Sequence, residues 1–280
     1  MKRRQPLRGA PLVAALALTA AGCGLGTDVQ GPGNVSLNFR VRGLEPATAA
    51  AAAAPGGPAL VAGPPMAIDG TNGSLTITEI RLIVDEVELH LADDSCDDDG
   101  FDGSGSDDFD DDCDEFEAPP RFLDLPLDGE PIEAVTATIP AGTYDEIEFE
   151  IEDLDDDDDG ERAAAISVLR AEIVTEIPDW PRKASALVTG SFAPIGGDPI
   201  EFRVFLEAEI EVEMDLVPSL VVGDDGSASR SLTVEVRPDV WFVRADGSVL
   251  PLNLFDHAAT GDLLEIEVEM EDGFTEIEIG

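Results

Sequence analysis

Apolar and polar residues alternate along most of the chain, and a period of two is the mark of a strand with one face in a core. Val35, Leu37, Phe39 and Val41 predict a first strand. From Ser74 the signal is dense. Leu75 and Ile77 share one parity, Ile80, Leu82 and Val84 take the other, and Val87, Leu89 and Leu91 shift back. Such a change predicts a β-bulge or a turn near Asp85, because a one-residue slip sends every later side chain to the opposite face. Further strands are predicted at 121–125, 132–139, around 147–151, and at 185–192, 200–216, 231–243, 263–270 and 274–279. The 200–216 segment is the clearest. Phe202, Val204, Leu206, Ala208, Ile210, Val212, Met214 and Leu216 hold every even position, and Glu or Asp fills most odd ones.

Residues 163–176 are the one stretch whose apolar positions fit a helical stripe, and Pro178 and Pro181 end it. Many amphipathic strands with a single short helix predict an all-β fold, an antiparallel β-sandwich of immunoglobulin or transthyretin type. Residues 1–22 read as a leader and 23–33 as a tether. Residues 34–280 read as the sandwich, either whole or split into 74–178 and 179–280. An Ala-, Pro- and Gly-rich stretch at 43–73 reads as a low-complexity loop.

Charge narrows the function. The chain of 280 residues has 61 Asp and Glu against 16 Lys and Arg, a formal net charge of -45. Nucleic-acid binding needs a basic patch that releases counterions, so no nucleic-acid partner is expected. Hydrophobic residues still make up 43% of the chain, enough to bury a core, which separates it from acidic disordered proteins.

The N-terminus, MKRRQPLRGAPLVAALALTAAGC, has a basic start, a short apolar stretch and small residues before Cys23. This reads as a secretory signal. Its ending, Ala20-Ala21-Gly22-Cys23, resembles a bacterial lipobox, which implies acylation of Cys23 and a membrane partner through that anchor. Stable anchoring follows from two or more acyl chains at ~0.8 kcal/mol per buried CH₂. With Cys23 acylated, Cys96 and Cys113 remain as a pair, and export permits a disulfide. Closing that loop is worth roughly 3 kcal/mol in the chain-entropy model.

Residues 93–117 form an acidic segment with Asp97, Asp99, Asp102, Asp108, Asp110 and Asp112 among its carboxylates. A second runs over 153–160, where Asp155, Asp157, Asp159 and Gly160 match the opening of an EF-hand-type loop. The closing Glu is missing, because Ile166 stands at the twelfth position. Oxygen-only ligands on loops favour Ca²⁺ over Mg²⁺ and over softer metals. The alternative is an acidic coat that keeps an exported or halophilic protein soluble. Catalysis has little sequence support. His90 falls at a strand end, His257 follows Asp256, and no G-x-S-x-G elbow or phosphate loop occurs. Trp180 and Trp241 read as core residues.

The order ITEIRLIVDEVELHL, Cys-bracketed acidic loop, FLDLPLDGE, IPAGTYDEIEFEI, WPRKASALVTGSF, VWFVRADGS, over residues 74–250, resembles a group of uncharacterised bacterial envelope lipoproteins. The resemblance implies a β-sandwich at the cell envelope, at the outer membrane or cell surface, and carries no catalytic residues. The expectation is a non-enzymatic, lipid-anchored protein that binds Ca²⁺ and acts in surface adhesion or structure, with a surface protein, glycan or mineral as partner. Two alternatives stay open: a protein- or glycan-binding module with a merely solubilising coat, and an envelope hydrolase.

Overall fold

The computed structural model describes residues 33–42, 64–92, 116–154, 160–223 and 229–280. Its strands, numbered β1 to β14 along the chain, form three open and mostly antiparallel sheets, an all-β sandwich with a few short helices. Sheet I has the order β14 (Phe274–Ile279), β12 (Ser229–Val236), β1 (Gly33–Val41), β7 (Ile132–Ile139). Sheet II runs β13 (Leu264–Glu265), β10 (Ile200–Glu207), β9 (Ala186–Pro194), β3 (Gly73–Val84). On the far side of β3, β2 (Met66–Gly70) pairs its first half and β6 (Arg121–Asp124) its second. Sheet III is β11 (Ile210–Val222), β8 (Gly142–Ile151), β4 (Val87–Leu91), β5 (Phe116–Glu117). Two pairings are parallel, β1 with β12 and β10 with β13.

The parity changes have two causes. The register of β3 against β9 shifts between Ile77 and Glu79, so a bulge at Thr78 makes the first change. The second falls at Asp85 and Glu86, where the chain leaves sheet II and enters sheet III as β4. The 200–216 segment is likewise two strands, broken at Ala208–Glu209, with β10 in sheet II and β11 in sheet III. Its even-numbered apolar parity survives the break, since Phe202, Val204, Leu206, Ala208, Ile210 and Val212 are all buried. Phe205 is buried too, because β10 is covered on both faces.

Sheets I and III face each other. The rings of Phe39 on β1 and Phe149 on β8 meet edge to face at 5.2 Å, and Phe274 lies 5.2 Å from Phe149. The outer side of sheet II is covered by helix α1 (Gly160–Glu176). Ile166 and Ile173 of α1 pack on Ile83, and Trp180 sits between Phe122 and Phe205. Fully burying such side chains stabilises by roughly 1.5–3 kcal/mol each. The segments 74–178 and 179–280 interleave strand by strand, β3 with β9 and β8 with β11, and one buried cluster runs from Val35 to Phe274.

Besides the single strand expected at 200–216, three sequence expectations are corrected. The predicted strand at 231–243 stops at Val236, and Pro238–Phe242 is a short helix, α2, with Pro in its first turn. The predicted strand at 263–270 is only β13, which follows helix α3 (His257–Thr260) and precedes helix α4 (Glu267–Glu271). Its buried residues, Ile266 and Met270, are four apart, while Val268 is 67% exposed, a helical pattern in a run of good helix formers. The predicted low-complexity loop gives way to β2 at Met66–Gly70, which buries Met66 and Ile68 and turns at Thr71-Asn72 into β3.

Candidate metal centre on the acidic face of sheet III

Alternation in β4, β8 and β11 puts Val87, Leu89, Ile147, Phe149, Ile210 and Val212 in the core and the intervening residues outside. The register then decides which outer residues meet. Glu88, Glu148 and Glu213 form one row across the three strands, His90, Glu146 and Asp215 a second, and Glu150 with Glu211 a third. Opposed side chains in an antiparallel pair have Cβ atoms ~5 Å apart, and like charges there repel. Each such pair costs about 0.8 kcal/mol at water's dielectric, and more where water is thinned.

The break between β3 and β4 adds to the third row. The Asp85 N–H donates to the Glu150 carbonyl at 3.0 Å, and the Glu150 N–H to the Glu86 carbonyl at 3.0 Å. This fixes Asp85, whose side chain is 1% exposed, beside Glu150 and Glu152. Arg162 on α1 donates to Asp85 Oδ2 at 2.7 Å and lies 3.1 Å from Glu86. One guanidinium thus faces four carboxyl groups.

The protonation states follow. Burial, a hydrogen bond shared with Asp85 and the charges of Asp85 and Glu150 push Glu152 up to about 9, against the pull of Arg162. Glu152 therefore keeps its proton at neutral pH and shares it with Asp85, whose buried Oδ1 has no hydrogen-bond donor among the other described residues. Burial also raises Glu150, helped by Glu86 and Asp85, and raises Glu148, helped by Glu211.

Among the described residues, three groups of side chains bring one donor atom each to within 4.8 Å of one another: Asp85, Glu150 and Glu152; Glu148, Glu150 and Glu211; and Glu88, His90 and Glu148. His90 Nε2 stands 3.3 Å from Glu148 Oε2 and 3.7 Å from Glu88 Oε2. Oxygens around one Ca²⁺ lie at 2.3–2.6 Å from it, hence at most about 5 Å apart, so the two all-oxygen groups match its span. Some acidic groups of this chain can therefore hold a metal ion.

None of the metal-site residues expected from the sequence is among these. Asp97, Asp99, Asp102, Asp108, Asp110, Asp112, Asp155, Asp157 and Asp159 lie outside the described residues, as do Cys23, Cys96 and Cys113. In the chain the first acidic stretch follows the Leu91 end of β4, which lies beside Tyr144, and the second follows the Ile151 end of β8, near Val87. Those two described strand ends lie at opposite ends of sheet III, about 24 Å apart at the strand rise. Asp85, Glu88, His90, Glu148, Glu150, Glu152 and Glu211 were missed because alternation gives a face and not a register. The only sequence signal for Asp85 was the parity change that surrounds it.

Trp180 and Trp241 both pack, as expected. Trp241 is buried and donates to the Met270 carbonyl at 3.1 Å, and Trp180 donates to the Ala184 carbonyl at 3.1 Å.

No family model and no curated protein matches the chain. Among solved structures, MbnP from Methylosinus trichosporium matches with a TM-score of 0.33 and 13% identity, over 73% of this chain and 76% of that one. A likeness at this level carries no argument about function.

Proposed function

We propose that this is an exported, lipid-anchored protein of the bacterial envelope that binds Ca²⁺ through carboxylates and serves surface adhesion or structure, without catalysis. The anchor is Cys23 at the end of the lipobox-like segment. The cation sites are the acidic outer face of sheet III together with the Asp-rich stretches of the sequence at 93–117 and 153–160. One observation carries the cation reading: carboxyl oxygens of Asp85, Glu150 and Glu152 converge within 4.8 Å around a buried aspartate, where Ca²⁺ would displace the proton held on Glu152. Solubility alone asks for exposed charge and does not ask for a carboxylate in the interior. Bound Ca²⁺ would offset the repulsion between opposed rows and tie β8 to the β3–β4 junction. The partner at the surface is a protein, a glycan or a mineral.

The test is thermal unfolding of the purified protein in EDTA, Ca²⁺, Mg²⁺ and NaCl at matched ionic strength. A ligand raises the midpoint only by preferring the folded state. A Ca²⁺-selective rise that is diminished in Glu150→Gln and in Asp85→Asn is expected. Equal rises in every salt mean screening and overturn the cation reading. Anchoring is checked separately by the mass of the detergent-extracted protein. An acyl-sized increment that Cys23→Ser abolishes is expected, and an unmodified Cys23 in membrane-extracted protein overturns it.

A further inference from the structure

A cleft of about 540 Å³ opens between α2, α4, β13 and the turn that follows α2, well apart in sequence from the carboxylate rows of sheet III. This volume lies in the range of small-molecule sites, which pair an apolar lining with a few placed polar groups. Trp241 and Phe242 form its floor, and Val243, Leu250, Phe255 and Leu264 its more open apolar lining.

Its walls are held in place by hydrogen bonds that a ligand need not form. The Trp241 indole N–H is committed to the Met270 carbonyl, and Gly273 is pressed so close to that ring that a Cβ there would lie 1.9 Å from Nε1. The 243–249 turn is bridged between Val243 and Val249 and clamped to the β2–β3 turn. Asn72 accepts from the Val249 N–H and donates to the Val249 carbonyl, both at 2.9 Å, and the Thr71 N–H donates to the Gly247 carbonyl at 2.9 Å. A lining fixed before binding lowers the ordering cost of association.

The polar groups of the cleft are of mostly one sign. Glu265, Glu269 and Asp272 stand at its rim, all exposed. Arg244 is the single basic residue in the lining, and its charge is shared with Asp246, whose carboxyl is held below the usual range by Ser248 first and by Arg244 after it. Apolar floor and acidic rim are complementary to one kind of occupant. The geometry points to a binding site for a small organic cation, an ammonium or guanidinium group carried on an aromatic or aliphatic body that fills the floor. The body displaces water from Leu264 and Phe255, and the head group sits among the three rim carboxylates. This site is independent of Ca²⁺ binding on sheet III.

The test uses three probes that share one body and differ in head group: 4-phenylbutylammonium, 4-phenylbutanol and 4-phenylbutyrate. Each is titrated by calorimetry into the full chain at an ionic strength of about 0.15 M, where long-range fields are screened beyond ~8 Å. Saturable binding of both ammonium and alcohol is expected, with the ammonium at least about tenfold tighter than the carboxylate. In the Glu265→Gln/Glu269→Gln double variant the ammonium falls to within about twofold of the alcohol, since the head group has lost two of its three partners. Val243→Lys, at an exposed position in the mouth, abolishes ammonium binding. An ammonium preference that survives loss of the two rim carboxylates reports the field of the whole acidic chain and overturns the proposal, as does the absence of saturable alcohol binding. A thermal midpoint close to wild type certifies that each variant is folded.

Discussion

Replacing Glu152 by Gln isolates the proton held between two carboxyl groups. In the folded chain Glu152 is raised to about 9, from 4.5 when free, chiefly by burial and by its hydrogen bond to Asp85. Between those values the folded state holds a proton that the unfolded state has released. Stability therefore falls as pH rises through this window, because the slope follows the protons bound unfolded minus those bound folded. One group contributes at most about 1.4 kcal/mol per pH unit. Glu152 is only partly buried, so solvent screening narrows the window over which the full slope holds, and ~0.5–1 kcal/mol per unit is the average expected across it. Gln keeps the shape, can donate an N–H to the Asp85 carboxylate in place of the carboxyl proton, and does not titrate. Urea unfolding from pH 5.5 to 8.5 in EDTA reads the difference. Wild type loses ~1.5–3 kcal/mol relative to Glu152→Gln over that span, with the gap widening toward high pH. Repulsion within a chain of net charge -45 also grows with pH, but it is common to both proteins and drops out of the comparison. Parallel pH profiles would refute the shared proton.

Other perturbations test the frame around the site. Arg162→Met removes the cation 2.7 Å from buried Asp85 and is expected to cost roughly 3 kcal/mol by urea unfolding, with part recovered when Asp85→Asn is added. Additive losses in the double variant would mean that the two side chains are not coupled. Gly190→Ala on β9 would set a Cβ 2.0 Å from the Thr76 carbonyl oxygen, so β3 and β9 must separate, and a loss of ~2 kcal/mol or more is expected. Phe149→Ala empties the contact between sheets I and III and is expected to cost about 3–5 kcal/mol, measured by the same method.

The local pattern of apolar and polar residues set the class of fold and the faces of its strands. Alternation around Phe39, Phe149 and Val204 names core residues that are buried, and the helical stripe at 163–176 falls inside α1. It did so because period 2 and period 3.6 are local properties, set by the backbone geometry of each element. It misread 231–243 and 263–270, where short helices stand in place of strand ends, because an apolar run of a few residues fits either period and only neighbouring elements arbitrate. Which carboxylates meet was decided by tertiary structure alone. Glu88 lies opposite Glu148 because β4 and β8 pair in that register, and Glu150 lies beside Asp85 because the chain crosses from sheet II to sheet III at that residue. The cleft is likewise assembled from segments between 240 and 272 and braced by Asn72, far away in sequence. Composition supplies the carboxylates and alternation chooses their side of the sheet. Register and crossover, which depend on contacts between distant segments, turn an acidic face into specific neighbours.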